Sequence, residues 1–424
     1  LKFIFLFLAF LYLPAWASFS GSLKSSTDFY PAHLGEPTDD VTPYVILDVN
    51  GKHKLNKKLR IQWRGYALSN PDSKSAPENL YGDLPEAFLE WKAPADFKLK
   101  LGMNTVNWGV VDVSSPSDVV NPSAFFHPLR LLKRGSPMVD LAWNKEVIGF
   151  EAIYIPRQQK SLLPSTDSRW LPRKLLLNLS YAGDKILLPD FIEYQYTKDE
   201  ILDHALDHNA GLRLSSHLGS VDLYLMHFEG AAPQPKVRPK ITINSGPTGT
   251  FAASPVVLRP LYYRVRTSSL GAVYAGEKWI FRVESAYQHS ISQDPLIQPW
   301  AWSSVAAAET NVNLGSSTLT MLGQYYYAQN PQESDNLITS TYRLFDRTAV
   351  LGFRWPLTET LLLTGSVLYE TKTRGKFFMA GFEQKLSDVL RWGMGWRDFS
   401  AEADGLLKTY DKNDHANLEM VYFF

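Results

Sequence analysis

The last nine residues, 416–424, constrain this chain more than any other segment. Ala416, Leu418, Met420, Tyr422 and Phe424 are apolar and fall on every second position, while His415, Asn417 and Glu419 lie on the other parity. A strand projects alternate side chains to opposite faces, so this segment carries one face fit for lipid and one fit for water. At the edge of a soluble sheet such an aromatic strand would be an aggregation hazard. In a transmembrane β-barrel it is an ordinary wall strand.

The opposite end reads as a secretory signal. Lys2 precedes an apolar run over residues 3–13, Pro14 breaks it, and Ala15, Trp16 and Ala17 form an A-x-A cleavage site. The run is too short to span a membrane. Residues 1–17 are therefore expected to be removed, leaving 18–424 as one outer-membrane barrel. The chain contains no Cys, so disulfides and a lipid-anchored N-terminus are both excluded by expectation. A secreted chain without cysteine suits a Gram-negative envelope. Lys+Arg and Asp+Glu both number 43, which gives no hint of nucleic acid. Aromatic content of 13 % suits Trp and Tyr girdles at the membrane interfaces.

The same alternation recurs along the chain. Leu59, Ile61 and Trp63 alternate with Arg60, Gln62 and Arg64; Leu390, Trp392, Met394 and Trp396 alternate with Arg391, Gly393, Gly395 and Arg397. Comparable runs begin near Phe97, Trp279, Leu319 and Leu361. A two-sheet sandwich would alternate too, but the connections here switch between short and long. Short ones are expected at 51–57, 94–96, 144–146, 218–220, 275–278, 311–315, 356–359 and 386–388. The longest outer loops are expected at 109–135, 157–209 and 229–255. That pattern predicts an all-β, antiparallel transmembrane barrel of about 18 strands, within 16–20, with both termini periplasmic. Residues 174–196 leave open whether a further hairpin joins the wall or stands on the outer surface.

A barrel of this width leaves a lumen unless something fills it. The parity that would face that lumen is polar and two-signed. Arg60, Arg64, Lys98, Lys100, Arg213, Arg282, Arg354, Arg391 and Arg397 share it with Glu86, Glu90, Glu284, Glu370, Glu383 and Glu419. These charges either select solutes or pair across neighbouring strands and stiffen the wall.

Two resemblances add to this reading. The ending at Phe424, with Leu418, Met420 and Tyr422 on the same parity, resembles the C-terminal strand signal of bacterial outer-membrane barrels. It implies recognition by the barrel-insertion machinery and a surrounding of outer-membrane lipid and lipopolysaccharide. The second lies between residues 97 and 235. Asn107-Trp108-Gly109, Asn121-Pro122, Arg134-Gly135 and Pro137-Met138 occur in order, followed by Asn209, Arg213 and Phe228-Glu229-Gly230. This resembles an uncharacterised proteobacterial outer-membrane barrel family with no settled substrate and no catalytic residues to carry over.

Loop 109–135 is too apolar for a solvated tip, since it follows Trp108 and contains Phe125, Phe126 and Pro128. Long ordered loops are usually functional. It is expected either to fold inward as a constriction, with Arg130, Lys133 and Arg134 near the eyelet, or to cap the outer rim. Segment 197–209 reads as a short helix, with Thr197 and Glu200 as a capping box. His204 and His208 would then sit one turn apart, a spacing that suits zinc. The general-base Glu of H-E-x-x-H is missing, and a solvated helix face is the expectation. No cofactor is indicated.

The function expected is a pore for small solutes in the outer membrane of a Gram-negative bacterium. A non-conducting structural or partner-binding barrel is the alternative. An outer-membrane hydrolase is a second one, and no G-x-S-x-G motif supports it.

Overall fold

The computed structural model describes residues 18–34, 40–70, 73, 79–124, 129, 132–171, 180–181, 184–185, 192–246, 249–330, 347–402 and 406–424. Eighteen strands form one closed antiparallel sheet. They are β1 (Ser18–Phe29), β2 (Val41–Lys54), β3 (Leu59–Ser69), β4 (Tyr81–Lys92), β5 (Phe97–Asn104) and β6 (Ser136–Lys145). Next come β7 (Ile148–Arg157), β8 (Asp207–Leu218), β9 (Val221–Ala231), β10 (Arg264–Ala275), β11 (Trp279–Ser290) and β12 (Trp300–Leu314). The ring ends with β13 (Ser317–Gln329), β14 (Thr348–Pro356), β15 (Leu361–Glu370), β16 (Gly375–Lys385), β17 (Leu390–Ser400) and β18 (His415–Phe423).

Each strand pairs with its sequence neighbours, and β18 returns to β1, from Ser22 opposite Phe423 to Phe29 opposite Ala416. Closure leaves no strand of the wall with an unpaired edge. The chain's final peptide takes part, because Phe424 N donates to Gly21 O and Gly21 N donates to Phe424 O. A side chain at Gly21 would collide with the Phe424 ring, so a glycine is needed where the seam is sealed.

The alternation sorts the two faces as expected. Phe281, Val283, Leu351, Met394, Leu418, Met420, Tyr422 and Phe424 are exposed on the outward parity. The inward parity carries most of the charged strand side chains, and at the long-loop end Glu229 and Arg266 stand on the outward one. No helix among the described residues is long and apolar enough to cross a membrane.

Eight tight turns, the start of β1 and the end of β18 share one end of the barrel. Two of these turns need glycine, since Gly219 and Gly315 take φ +65. The other end carries the long connections, with one exception. Residues 371–374 join β15 to β16 in a tight turn there. The strict short–long alternation expected from sequence breaks at this point, yet the strand number is unaffected.

The long-loop end also carries a second sheet. Lys236–Gly246 pairs antiparallel with Gly249–Tyr262, and Tyr194–Tyr196 and Glu200–Ile201 add to the latter in parallel. Ile192, Tyr194, Val237, Val256 and Leu258 form its own core. Much of the region expected as loop 229–255 is therefore a hairpin. Of the doubtful hairpin within 174–196, the described residues are outside the wall: Ser180–Tyr181 pairs with Asp184–Lys185 in a separate two-stranded sheet, and Tyr194–Tyr196 joins the second sheet.

The helix expected over 197–209 is absent. Thr197 N donates to Leu258 O and Leu202 N to Tyr262 O, so the backbone follows the edge of the hairpin. Asp203, His204 and His208 then take φ near +50. The capping box was a sound local signal that lost to tertiary strand pairing. His204 and His208 consequently share no helix face. His204 is exposed near Asp207, while His208 Nδ1 lies 2.6 Å from the Tyr154 hydroxyl on the outer wall.

Candidate functional site: the lumen and the segments that enter it

Two segments of the long-loop end lie against the inward face. The first, 105–135, begins where β5 ends. A clasp of residues holds its two limbs together. Asn121 Oδ1 accepts from Val106 N, and Asn121 Nδ2 donates to the carbonyls of Asn104 and Arg134. Lys133 Nζ bonds Val106 O and the Asp118 carboxylate. Gly135 must lack a side chain, since a Cβ there would fall 2.1 Å from Pro85 O.

From this clasp the segment runs over the inner wall. Trp108 is 2 % exposed and packs with Met138, Ile153, Met226 and Phe228, while its Nε1 donates to Glu151 on β7. Glu284 on β11 accepts from Val110 N, Ser115 Oγ and Ser117 N, and is itself 1 % exposed. Ser117 Oγ donates to Ser269 on β10. Val111 packs with Val305, Ala307, Tyr326 and Ala328 of β12 and β13. A carboxylate that accepts three hydrogen bonds in a buried place has its lone pairs well used. Burial raises the Asp118 carboxyl above the usual carboxylate range; Lys133 beside it draws it back only in part, and Glu284 adds a further push upward.

The second segment, 158–171, crosses the barrel. It leaves β7, and its Trp170 packs with Val350, Leu368, Phe377 and Phe399 on β14 to β17. In a ring of eighteen strands, β7 and β16 are opposite one another. Leu407 and Tyr410 of the last loop complete the Trp170 cluster. Arg169 stacks on Tyr30 at 4.2 Å and donates to the carbonyls of Ala32 and Lys412. The two segments also join each other. Leu162 N donates to Ser123 O, and Arg134 bonds both Asp83 and the Lys160 carbonyl.

Beneath these segments the inward side chains are buried, among them Asp28, Tyr44, Phe228, Glu284, Gln324 and His415. Towards the short-turn end the inward face stays accessible, with Arg64, Arg391, Glu383 and Met379 all partly or well exposed. Most of its charges are paired across strands. Arg60 meets Glu90 at 2.6 Å, Arg64 meets Asp48 at 2.6 Å and Lys100 meets Asp140 at 3.0 Å. Arg282 meets Glu309 at 2.9 Å, Arg391 meets Glu383 at 3.0 Å and Arg213 lies 4.0 Å from Glu151. Arg397 Nη1 bonds His415 Nε2.

The expected lumen residues therefore separate. Arg60, Arg64, Lys98, Lys100, Arg282, Arg391 and Arg397 lie on the inward wall. Trp108, Lys133, Arg134 and Glu284 hold segment 105–135 in place instead of standing free at an opening. Trp108 was expected to line the constriction, but its ring has an apolar cluster to fill. Phe125, Phe126, Pro128 and Arg130 lie outside the described residues. Sequence reading missed Glu151 and the Arg169–Trp170 crossing. Trp170 offered a signal, as a Trp in a long polar loop wants a buried partner.

The hydrolase alternative needs a Ser–His–acid set. Ser268 Oγ does lie 2.8 Å from His227 Nδ1 on the outward face. The nearby Glu229 is bonded instead by Arg264 and Arg266, so among the described residues no carboxylate orients that imidazole.

No family model matches the chain, and no curated protein matches it. The family resemblance over 97–235 is thus without independent support. Solved structures do match over nearly the whole length. OccK2 (OpdF) of Pseudomonas aeruginosa, in complex with glucuronate, is similar with a TM-score of 0.53 and 10 % identity, over 96 % of this chain and 97 % of that one. OmpF of Salmonella typhi, in complex with daunomycin, gives 0.46 and 10 %, over 96 % and 97 %. A loop-deleted OmpT, an outer-membrane protein of Vibrio cholerae, gives 0.43 and 12 %, over 96 % and 99 %. At such identity the likeness speaks to fold. The chain has the fold of outer-membrane porin-like barrels.

Proposed function

We propose that this chain is an outer-membrane pore for small solutes, narrowed by segments 105–135 and 158–171. The observation that carries the reading is the asymmetry of the lumen. Two tied segments cover the inner wall at the long-loop end, while the rest of that wall is polar and accessible. Water and polar solutes need such a lining, and a narrow part supplies discrimination by size and charge. In this reading the short-turn end, with both termini, is periplasmic, and lipopolysaccharide surrounds the long-loop end. Leu418, Met420, Tyr422 and Phe424 form the segment presented to the barrel-insertion machinery.

The test is conductance in planar bilayers. Purified protein is expected to conduct, and replacing 110–118 by a short Gly-Ser link should raise the conductance by removing a segment from the lumen. The coverage of the wall by two segments also favours a second reading, a filled barrel that serves as a structural element or binds a partner. If neither the wild type nor the shortened protein conducts, the pore reading fails and the filled barrel replaces it.

A further inference from the structure

Among the described residues, cations of the inner wall without an ion pair cluster in one sector, while Arg354 on β14 stands alone. Around the turns at 55–58 and 93–96, Lys52, Lys54, Lys57, Lys58, Lys92 and Lys98 are exposed. None of them makes an ion pair among the described residues. Lys52, Lys54, Lys92 and Lys98 lie on the same parity as Arg60 and Glu90, which faces the lumen.

The strand register makes this more than an accident of composition. Lys92 stands directly opposite Lys98, and Lys54 directly opposite Arg60. Like charges in such positions repel and destabilise a sheet. One row of the wall shows how neutralisation is done elsewhere: Lys54, Arg60, Glu90, Lys100 and Asp140 follow one another across β2 to β6. Arg60 takes Glu90, and Lys100 takes Asp140. Lys54 is left over. The row nearer the mouth holds Lys92, Lys98 and Ala142 in turn, and the carboxylate beyond them, Glu151, is already engaged by Arg213 and the Trp108 indole. The groups facing the cluster from its own turns add one acid, Asp96.

We infer that this sector of the short-turn mouth is a binding vestibule for anions, and that it makes the pore select carboxylated or phosphorylated small solutes. This rests on the pore reading above. Paired charges in the wall cancel at a distance, whereas clustered unpaired lysines leave a positive field over the opening. A field of one sign in a low-dielectric mouth concentrates counter-ions there. The lysines also stay flexible and hydrated, so an anion is attracted without being trapped.

The experiment measures reversal potential across a KCl gradient, in bilayers of zwitterionic lipid so that lipid headgroups supply no charge. Salt is kept near about 0.1 M, where screening acts over about 10 Å. Wild-type protein is expected to prefer chloride over potassium. Lys52→Gln, Lys54→Gln, Lys92→Gln and Lys98→Gln together should lower that preference by about two-fold or more, and the four Lys→Arg changes should restore it. Heat-modifiable migration checks that each variant is folded. If the wild type conducts and the neutralised protein has the same reversal potential, the vestibule is refuted and the pore stands. If the preference appears only when anionic lipid is added and inverts with it, headgroups are the ligand and the solute-selecting vestibule is refuted. If the wild type does not conduct, both readings fall.

Discussion

The two segments that enter the barrel are held by different mixtures of force. Segment 105–135 joins the apolar packing of Trp108 and Val111 to several polar ties: three donors on Glu284, an indole on Glu151 and a guanidinium on Asp83. Segment 158–171 is tied at its far end by an aromatic cluster around Trp170, with Phe399 and Tyr410 edge-on to it at 5.9 and 5.5 Å. Carboxylate ties are directional and depend on protonation, whereas the burial of aromatic area is neither. One barrel therefore carries one segment whose reach over the wall depends on a buried carboxylate and one whose far end depends on aromatic volume.

The largest expected effect is at Trp170. Trp170→Ala removes the ring that fills the cluster between β14–β17 and the last loop, and a buried Trp lost to Ala costs about 3–5 kcal/mol. The cost should fall on the crossing segment, because the strand ladder itself is untouched. Hydrogen exchange over 158–171 should rise steeply while the wall strands keep their protection. If the whole barrel loses protection together, the segment is part of the wall's cooperative unit and the contrast drawn above disappears.

Glu284→Ala comes next. It leaves Val110 N, Ser117 N and the Ser115 hydroxyl without their acceptor, and a stranded buried donor costs about 1–3 kcal/mol. Exchange over 110–118 should increase and single-channel current should become noisier, with 158–171 little changed. Glu284→Gln, which keeps one acceptor oxygen, should fall between the two. Equal loosening of both segments would show that the Leu162–Ser123 contact couples them more strongly than either anchor holds them.

How far this division was legible in the sequence follows from which forces are local. The period-2 pattern is local, and it yielded the barrel, the strand number and the sorting of Arg60, Lys98 or Arg391 to the inner face. The apolar residues Trp108, Phe125, Phe126 and Pro128 pointed to an ordered loop, and the clasp at Asn121 and Lys133 holds its described part. What the sequence did not reveal was pairing at a distance. Glu284 and segment 105–135 lie far apart in the chain, and nothing local says that Val110 will find that carboxylate. Trp170 finds β16 in the same way. The helix expected at 197–209 failed for the same reason, since a strand edge contributed by residues 249–262 captured the backbone.

Asp118 gives the smallest expected effect and the sharpest test of sign. Its carboxyl is raised by burial, and Lys133 does not fully offset that. A folded-state pKa above the unfolded value means that the docked segment holds this proton more tightly than the free one. The protonated form then stabilises docking fully below the ordinary value of 3.8, and this contribution is lost as pH rises through the raised value. At neutral pH the charged Asp118 thus works slightly against docking, despite its ion pair. Asp118→Asn is expected to leave open-channel noise at about pH 7 unchanged or a little lower. Lowering the pH towards the ordinary carboxylate value should quieten the wild type more than the variant, because only the wild type has this proton to gain. Comparing the two proteins at each pH removes the titration of every other carboxylate from the result. Should Asp118→Asn instead be the noisier protein at neutral pH, the ion pair with Lys133 outweighs burial, and segment 105–135 depends on charge at this point as strongly as it does at Glu284.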